Sequence, residues 1–208
     1  SQTEAQGPSG SKLQAGAGLQ GVQWIQVGPQ PAFPIESIIY QGNGAMSGEV
    51  LDIAIDPRNT FDKVIYSVTN DGGVWKSTDG GVTFAPKTDH MPSLSMGAVT
   101  LDAANPSIVY AGTGNLYDGN GGTTTLAVKA VGIYRSVDMG ESWSVLNPGG
   151  IFTGSGIARM ASPAANVLLV ASSAGLFKSV NGGMTFGQPP TYDNGQPVRS
   201  GFVEDIDL

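Results

Sequence analysis

The chain has 208 residues, with 31 glycines, 13 prolines and no cysteine. Glycine at about twice its usual share suits many tight turns, and the lack of cysteine excludes a disulfide framework and, with only one histidine, a familiar zinc site. A formal net charge of −7, from 17 acidic residues against 10 Lys plus Arg, disfavours a nucleic-acid partner, because phosphate recognition needs a basic face; no apolar stretch approaches the length of a membrane span.

Residues 1–21 are rich in Ser, Gln, Gly and Ala and carry little hydrophobic pattern, so they read as a flexible tail. They lack the apolar core of a signal peptide, and export would require a leader already removed. Residues 22–45, opening with Trp24-Ile-Gln-Val-Gly-Pro29, begin the ordered part.

From residue 46 the chain repeats. In the first unit, residues 50–55 alternate, Asp56-Pro57-Arg58-Asn59 turns the chain, and residues 64–68 run back. Gly73-Val-Trp-Lys76 then leads into Ser77-Thr-Asp79-Gly-Gly81-Val-Thr83-Phe84. In the second unit, residues 98–101 and 108–111 flank Asn105-Pro106-Ser107. Gly132-Ile-Tyr-Arg135 leads into Ser136-Val-Asp138-Met-Gly140-Glu-Ser142-Trp143. In the third, residues 156–160 and 167–170 flank a turn at 162–166, and Gly175-Leu-Phe-Lys178 leads into Ser179-Val-Asn181-Gly-Gly183-Met-Thr185-Phe186. Proline at these turns fixes φ and ends the strand before it.

Each Ser-x-Asp/Asn-x-Gly-x-Thr/Ser-aromatic motif reads as a tight turn between two strands. Glycine permits positive φ, and the short Asp or Asn side chain accepts hydrogen bonds from N–H groups one or two residues on. The closing aromatic is a natural core anchor. Two hairpins per unit make four antiparallel strands, which is a β-propeller blade. The expected fold is all-β, with blades at residues 46–89, 95–150 and 154–190 and the first strand of another at 200–208. Propellers have at least four blades. The expectation is therefore part of a larger propeller, whose remainder lies in the same or a cleaved chain; a truncated, a processed and a self-assembling chain are the three explanations.

The motif resembles the Asp-box, or BNR repeat, of sialidase-like, sortilin-like and xyloglucanase-like β-propellers. In that group the box is structural, joining the two outer strands of a blade away from the usual ligand face. The resemblance implies turn-stapling roles for Ser77, Asp79, Gly81, Thr83, Phe84, Ser136, Asp138, Gly140, Ser142, Trp143, Ser179, Asn181, Gly183, Thr185 and Phe186. Residues 24–29 resemble the opening of bacterial propellers of this group, where such a strand pairs into the last blade and closes the ring.

The same resemblance supplies tests for chemistry. Sialidases use an arginine cluster, a Tyr–Glu pair and an Asp. The four arginines here, Arg58, Arg135, Arg159 and Arg199, come without the Phe-Arg-Ile-Pro signature, and a sialidase site is rejected. Xyloglucan-degrading members invert with two carboxylates, the first in a Thr-Asp-Ile-Gly-Gly run. The matching stretch is Thr69-Asn70-Asp71-Gly72-Gly73, with Asn70 in the place of the Asp. Asn cannot be a general base, so no catalytic residue is assigned and Asp71 remains the one weak candidate.

Residues 113–131 form a Gly- and Thr-rich insertion, a length often functional in compact domains. Relatives of the group often open it with Thr-Gly-Glu or Thr-Gly-Asp; Thr113-Gly114-Asn115 stands here. Tyr117, Asp118 and Asn120 on this insertion are the candidate ligand contacts. Asp118-Gly-Asn120-Gly-Gly122 opens like a calcium loop, but Thr123 and Lys129 stand where Gly and Glu belong. No metal or other cofactor is expected, with weakly bound calcium the alternative. His90 reads as a solvated connector residue. The function expected is an extracellular or cell-surface, bacterial, noncatalytic module that binds protein or polysaccharide or builds a surface assembly. The alternative is the N-terminal part of a xyloglucanase-like glycoside hydrolase.

Overall fold

The computed structural model describes residues 49–58, 63–115 and 129–187. The expected segments at 1–21, 22–45 and 200–208, and the contacts Tyr117, Asp118 and Asn120, lie outside the described residues.

Eleven strands and one short 3-10 turn, Pro148–Gly150, form three antiparallel sheets among the described residues. The first sheet orders β1 (Val50–Ile55), β2 (Ile65–Thr69), β3 (Gly73–Ser77) and β4 (Ala85–Pro86) side by side. The second repeats this with β5 (Met96–Leu101), β6 (Val109–Thr113), β7 (Ile133–Ser136) and β8 (Ser144–Leu146). The third holds β9 (Ile157–Ala164), β10 (Val167–Ser172) and β11 (Gly175–Ser179). Where a fourth strand would pair, it has a single bridge, Lys178 to Gly187, at the last described residue.

Alternation dictates which side chains meet between sheets. Tyr66, Val68 and Val74 of the first sheet pack on Val99, Val109, Ala111 and Tyr134 of the second. The second sheet's opposite face, with Ala98, Tyr110 and Ile133, packs on Ile157, Met160, Leu168 and Val170 of the third. Two apolar layers thus lie between three sheets, each side chain fully or nearly removed from water. Phe152 locks the second layer, edge-on to Phe177 at 5.3 Å and to Phe186 at 5.0 Å.

Glycine lets the sheets approach. A Cβ on Gly97 would lie 1.8 Å from the carbonyl oxygen of Ile157, and one on Gly112 would lie 2.5 Å from the Ile157 side chain. Both positions sit where the second sheet meets β9.

Two sequence expectations are adjusted. The third unit's turn was expected at 162–166, but β9 continues to Ala164 and the hairpin turns at Ala165 and Asn166. Pro163 fits because the register shifts between Val167 and Leu169, so no ladder N–H is demanded of it. Asn166 takes the left-handed conformation at φ 57° that Asn tolerates. The closing aromatics were expected as core anchors. Phe84, Trp143 and Phe186 are only partly buried, although Trp143 and Phe186 reach the two core layers.

Candidate functional site

The three Ser-x-Asp/Asn turns share one hydrogen-bond scheme. Ser77 Oγ accepts from Gly81 N at 2.8 Å and donates to Asp79 Oδ1 at 2.7 Å. Asp79 in turn accepts from Thr83 N at 2.9 Å and Thr83 Oγ1 at 2.6 Å. Ser136, Asp138, Gly140 and Ser142 reproduce the scheme; Ser179, Asn181, Gly183 and Thr185 do so with one bond reversed, Asn181 Nδ2 donating to Thr185 Oγ1. The acid therefore reaches four residues on rather than one or two. Consecutive left-handed residues, Gly80 and Gly81 in the first turn and Met139 and Gly140 in the second, curl the backbone so that the later N–H returns to it. The Thr83 hydroxyl and N–H, with Ser77, hold the Asp79 carboxyl at about 2 against an ordinary 3.8. The Ser142 hydroxyl and N–H depress Asp138 further below the carboxylate range. Each carboxylate's hydrogen bonds stay within its own turn, which suits a staple.

The turns also join neighbouring sheets. Tyr66 Oη donates to Met139 O at 2.8 Å. Glu141, in the second turn, accepts from Lys76 Nζ at 2.6 Å and Lys87 Nζ at 2.7 Å, both from the first repeat. The two lysines lower its carboxyl pKa.

At the opposite end of the sheets lie the loops that follow β2, β6 and β10. A hydroxyl closes each loop at its neck. Thr113 Oγ1 donates to Gly132 O at 2.6 Å and accepts from Val131 N and Gly132 N at 2.9 and 3.0 Å. Ser172 Oγ donates to Gly175 O at 3.0 Å, and Thr69 Oγ1 to Gly73 O at 3.4 Å. The long insertion is thus clamped at the same point as the two short turns. Sequence reading missed this clasp, although a Thr or Ser ending each second strand and a Gly at or just before the start of each third strand were its signal.

Asp71 sits at this end in the left-handed conformation, φ 61°. Lys129, from the foot of the insertion, donates to both Asp71 oxygens at 2.6 and 2.7 Å. Asn70 beside it donates from Nδ2 to Glu49 Oε2 at 3.3 Å. His90 is exposed.

The inner strands β1, β5 and β9 enclose an open cleft of about 420 Å³. Ile53, Ile55, Thr100, Leu101 and Met160 line it, with Pro57 and Pro106 toward the turns. Arg159 Nη1 of β9 meets Asp52 Oδ1 of β1 at 3.3 Å, while Asp52 Oδ2 accepts from Val99 N of β5 at 3.0 Å. One carboxylate thereby ties all three inner strands. Asp102, also at the cleft, is nearly fully buried and accepts from Ala104 N, Asn105 N and Asn166 N, so it is committed to turn geometry. Mixed apolar walls with a few convergent polar groups are the usual make-up of a ligand cleft. Sequence reading identified neither Asp52 nor Arg159 as a site residue, because their meeting depends on the packing of three repeats. Among the described residues, no group of three or more His, Cys, Asp and Glu side chains could hold a metal ion, and no helix is long and apolar enough to cross a membrane.

No family model and no curated protein sequence matches the chain. Solved structures do. An ancestral GH74 enzyme is 21% identical with a TM-score of 0.52, the match covering 70% of this chain and 19% of that one. The GH74 xyloglucanase from Xanthomonas campestris is 16% identical with a TM-score of 0.46, over 72% of this chain and 24% of that one. YCF48 from Cyanidioschyzon merolae is 18% identical with a TM-score of 0.47, over 67% of this chain and 39% of that one. The chain spans about a fifth of the ancestral enzyme's length. The ancestral enzyme is a β-propeller, and the three antiparallel sheets have that fold.

Proposed function

We propose that this chain contributes blades to an extracellular or cell-surface, noncatalytic β-propeller that binds a polysaccharide or protein ligand, and that its three Ser-x-Asp/Asn turns are Asp-boxes. The observation that carries this reading is the cleft between β1, β5 and β9, walled by polar and apolar side chains together and bridged by Asp52 and Arg159. Such a cleft presents strand faces and a paired guanidinium–carboxylate bridge to a ligand, and among the described residues both of its carboxylates are engaged. Asp52 is engaged by Arg159 and Val99, and Asp102 by three backbone N–H groups. Inverting hydrolysis needs one acid and one base that both keep access to substrate. Asp71, bound at both oxygens by Lys129, is poorly placed for either role. The reading requires no cofactor. The rest of the ring is its expected partner.

A second reading rests on the likeness to an ancestral GH74 enzyme: the chain is the N-terminal part of a xyloglucanase-like glycoside hydrolase whose acids lie in other blades. Fold does not decide between the two, because function lives in the site. A glycan-array and hydrolysis screen on the full-length protein separates them. The binding reading expects retained glycan or protein ligand without turnover, weakened by Arg159→Ala. Turnover abolished by Asp71→Asn would overturn it.

A further inference from the structure

The third turn differs from the other two by carrying Asn181 where they carry Asp79 and Asp138, and Asn181 is followed by Gly182. We infer that Asn181 is a deamidation site gated by the fold, closed while the third sheet is intact and open once it unfolds, and that its aspartyl product is accepted by the turn.

The chemistry is fully specified by the residues. The Gly182 backbone nitrogen gives up its proton to solvent base and attacks Asn181 Cγ. A Cγ–N bond forms, the Cγ–Nδ2 bond breaks, and ammonia leaves with the returned proton. Water then opens the resulting succinimide. Hydrolysis at Cγ yields Asp with the original backbone; hydrolysis at the backbone carbonyl carbon yields isoaspartate, with the chain rerouted through Cγ. Glycine exposes the attacking nitrogen because it lacks a Cβ, and asparagine is accordingly among the thermolabile residues.

In the folded turn both reactants are held apart by other work. Gly182 N donates to Asn166 O at 2.8 Å. Asn181 Oδ1 accepts from Ser179 Oγ at 2.9 Å and Thr185 N at 3.0 Å, while Nδ2 donates to Thr185 Oγ1 at 2.8 Å. Ring closure requires the nitrogen to leave Asn166 and the carboxamide to leave all three of its partners. Asn181 is exposed, but Gly182, whose nitrogen must lose its proton, is buried, so the fold both shields and holds the nucleophile. The aspartyl product fits because Asp79 and Asp138 make the same contacts with their hydroxyls and N–H groups. Only the Thr185 hydroxyl must rotate, from acceptor to donor. Isoaspartate adds a backbone carbon between Asn181 and Thr185 and breaks the four-residue reach.

The test uses the whole chain, incubated folded and in urea in the same mildly alkaline buffer, with peptide mass mapping and isoaspartyl-specific methylation. Asn43, Asn120 and Asn194 are also followed by glycine and report the intrinsic rate in the same digest. In urea Asn181 should deamidate in step with these three; in the folded protein it should run at least about tenfold slower than in urea. Equal folded and urea rates at Asn181 would overturn the gating. Asn181→Asp tests the product: an unchanged or higher urea midpoint at neutral pH supports acceptance by the turn, and a clearly lower midpoint overturns it.

Discussion

Arg159 Nη1 donates to Asp52 Oδ1 at 3.3 Å across the cleft, joining β9 to β1 over 107 residues of sequence. The Arg159 side chain is 41% exposed, so the ion pair itself is worth little, about 0–1 kcal/mol. Asp52→Asn should therefore be nearly neutral, because an amide oxygen still accepts from Val99 N. Asp52→Ala leaves that N–H unpaired and should cost about 1–3 kcal/mol. Urea denaturation of the two variants measures the difference; equal losses would count against the strand-tying role of Asp52.

Acid should weaken the protein through its turns. Asp79 titrates at about 2 in the fold against an ordinary 3.8, and Asp138 is depressed further. A depressed carboxyl contributes stability that is fully present above its ordinary value and is lost as pH falls through the folded one. The expected loss runs from about pH 4 to about pH 2. The double variant Asp79→Asn, Asp138→Asn should flatten this slope, while Asn181 contributes nothing to it. Thermal midpoints across that pH range check the prediction, and an unaltered slope would refute it.

Thr113 closes the neck of the insertion. Thr113→Val keeps its shape and deletes a hydroxyl that serves Val131 N, Gly132 N and Gly132 O. Leaving buried polar groups short of partners should destabilise by about 1–3 kcal/mol. Hydrogen exchange should rise first at residues 129–132, a local signature that a uniformly weakened core would lack.

Gly97 permits β5 to approach β9. Gly97→Ala would place a methyl 1.8 Å from Ile157 O, and a backbone carbonyl cannot swing aside as a side chain can. The second and third sheets must separate, at a cost on the order of 3 kcal/mol. Gly149→Ala, whose Cβ would meet nothing within 4 Å, is the control, although its φ of 65° brings modest backbone strain of its own. A Gly97→Ala variant no less stable than this control would disprove the close packing.

Much of the fold could be read from local pattern. Three Ser-x-Asp/Asn turns at similar spacing announced hairpins, and alternation in residues 50–55 and 64–68 announced their strands. Such signals are short-range, since turn chemistry and period-two burial act within a few residues. The reading slipped where local rules competed: Pro163 suggested a turn, yet a register shift lets β9 run through it to Ala164. The Asp reach was underestimated because the curl of Gly80 and Gly81 is a backbone property that residue type only permits.

The cleft was not legible. Asp52 reads as a polar position in an alternating strand, and Arg159 as one of four scattered arginines. Sequence by itself determined that the chain folds as repeated antiparallel hairpins stapled by their own hydroxyls and carboxylates, because those contacts lie within four residues of one another. Only the tertiary structure decided that Asp52, Val99 and Arg159, one from each repeat, converge on a single cleft. That meeting depends on two apolar layers setting the angle and distance between sheets, and such long-range packing leaves no fixed spacing in the chain.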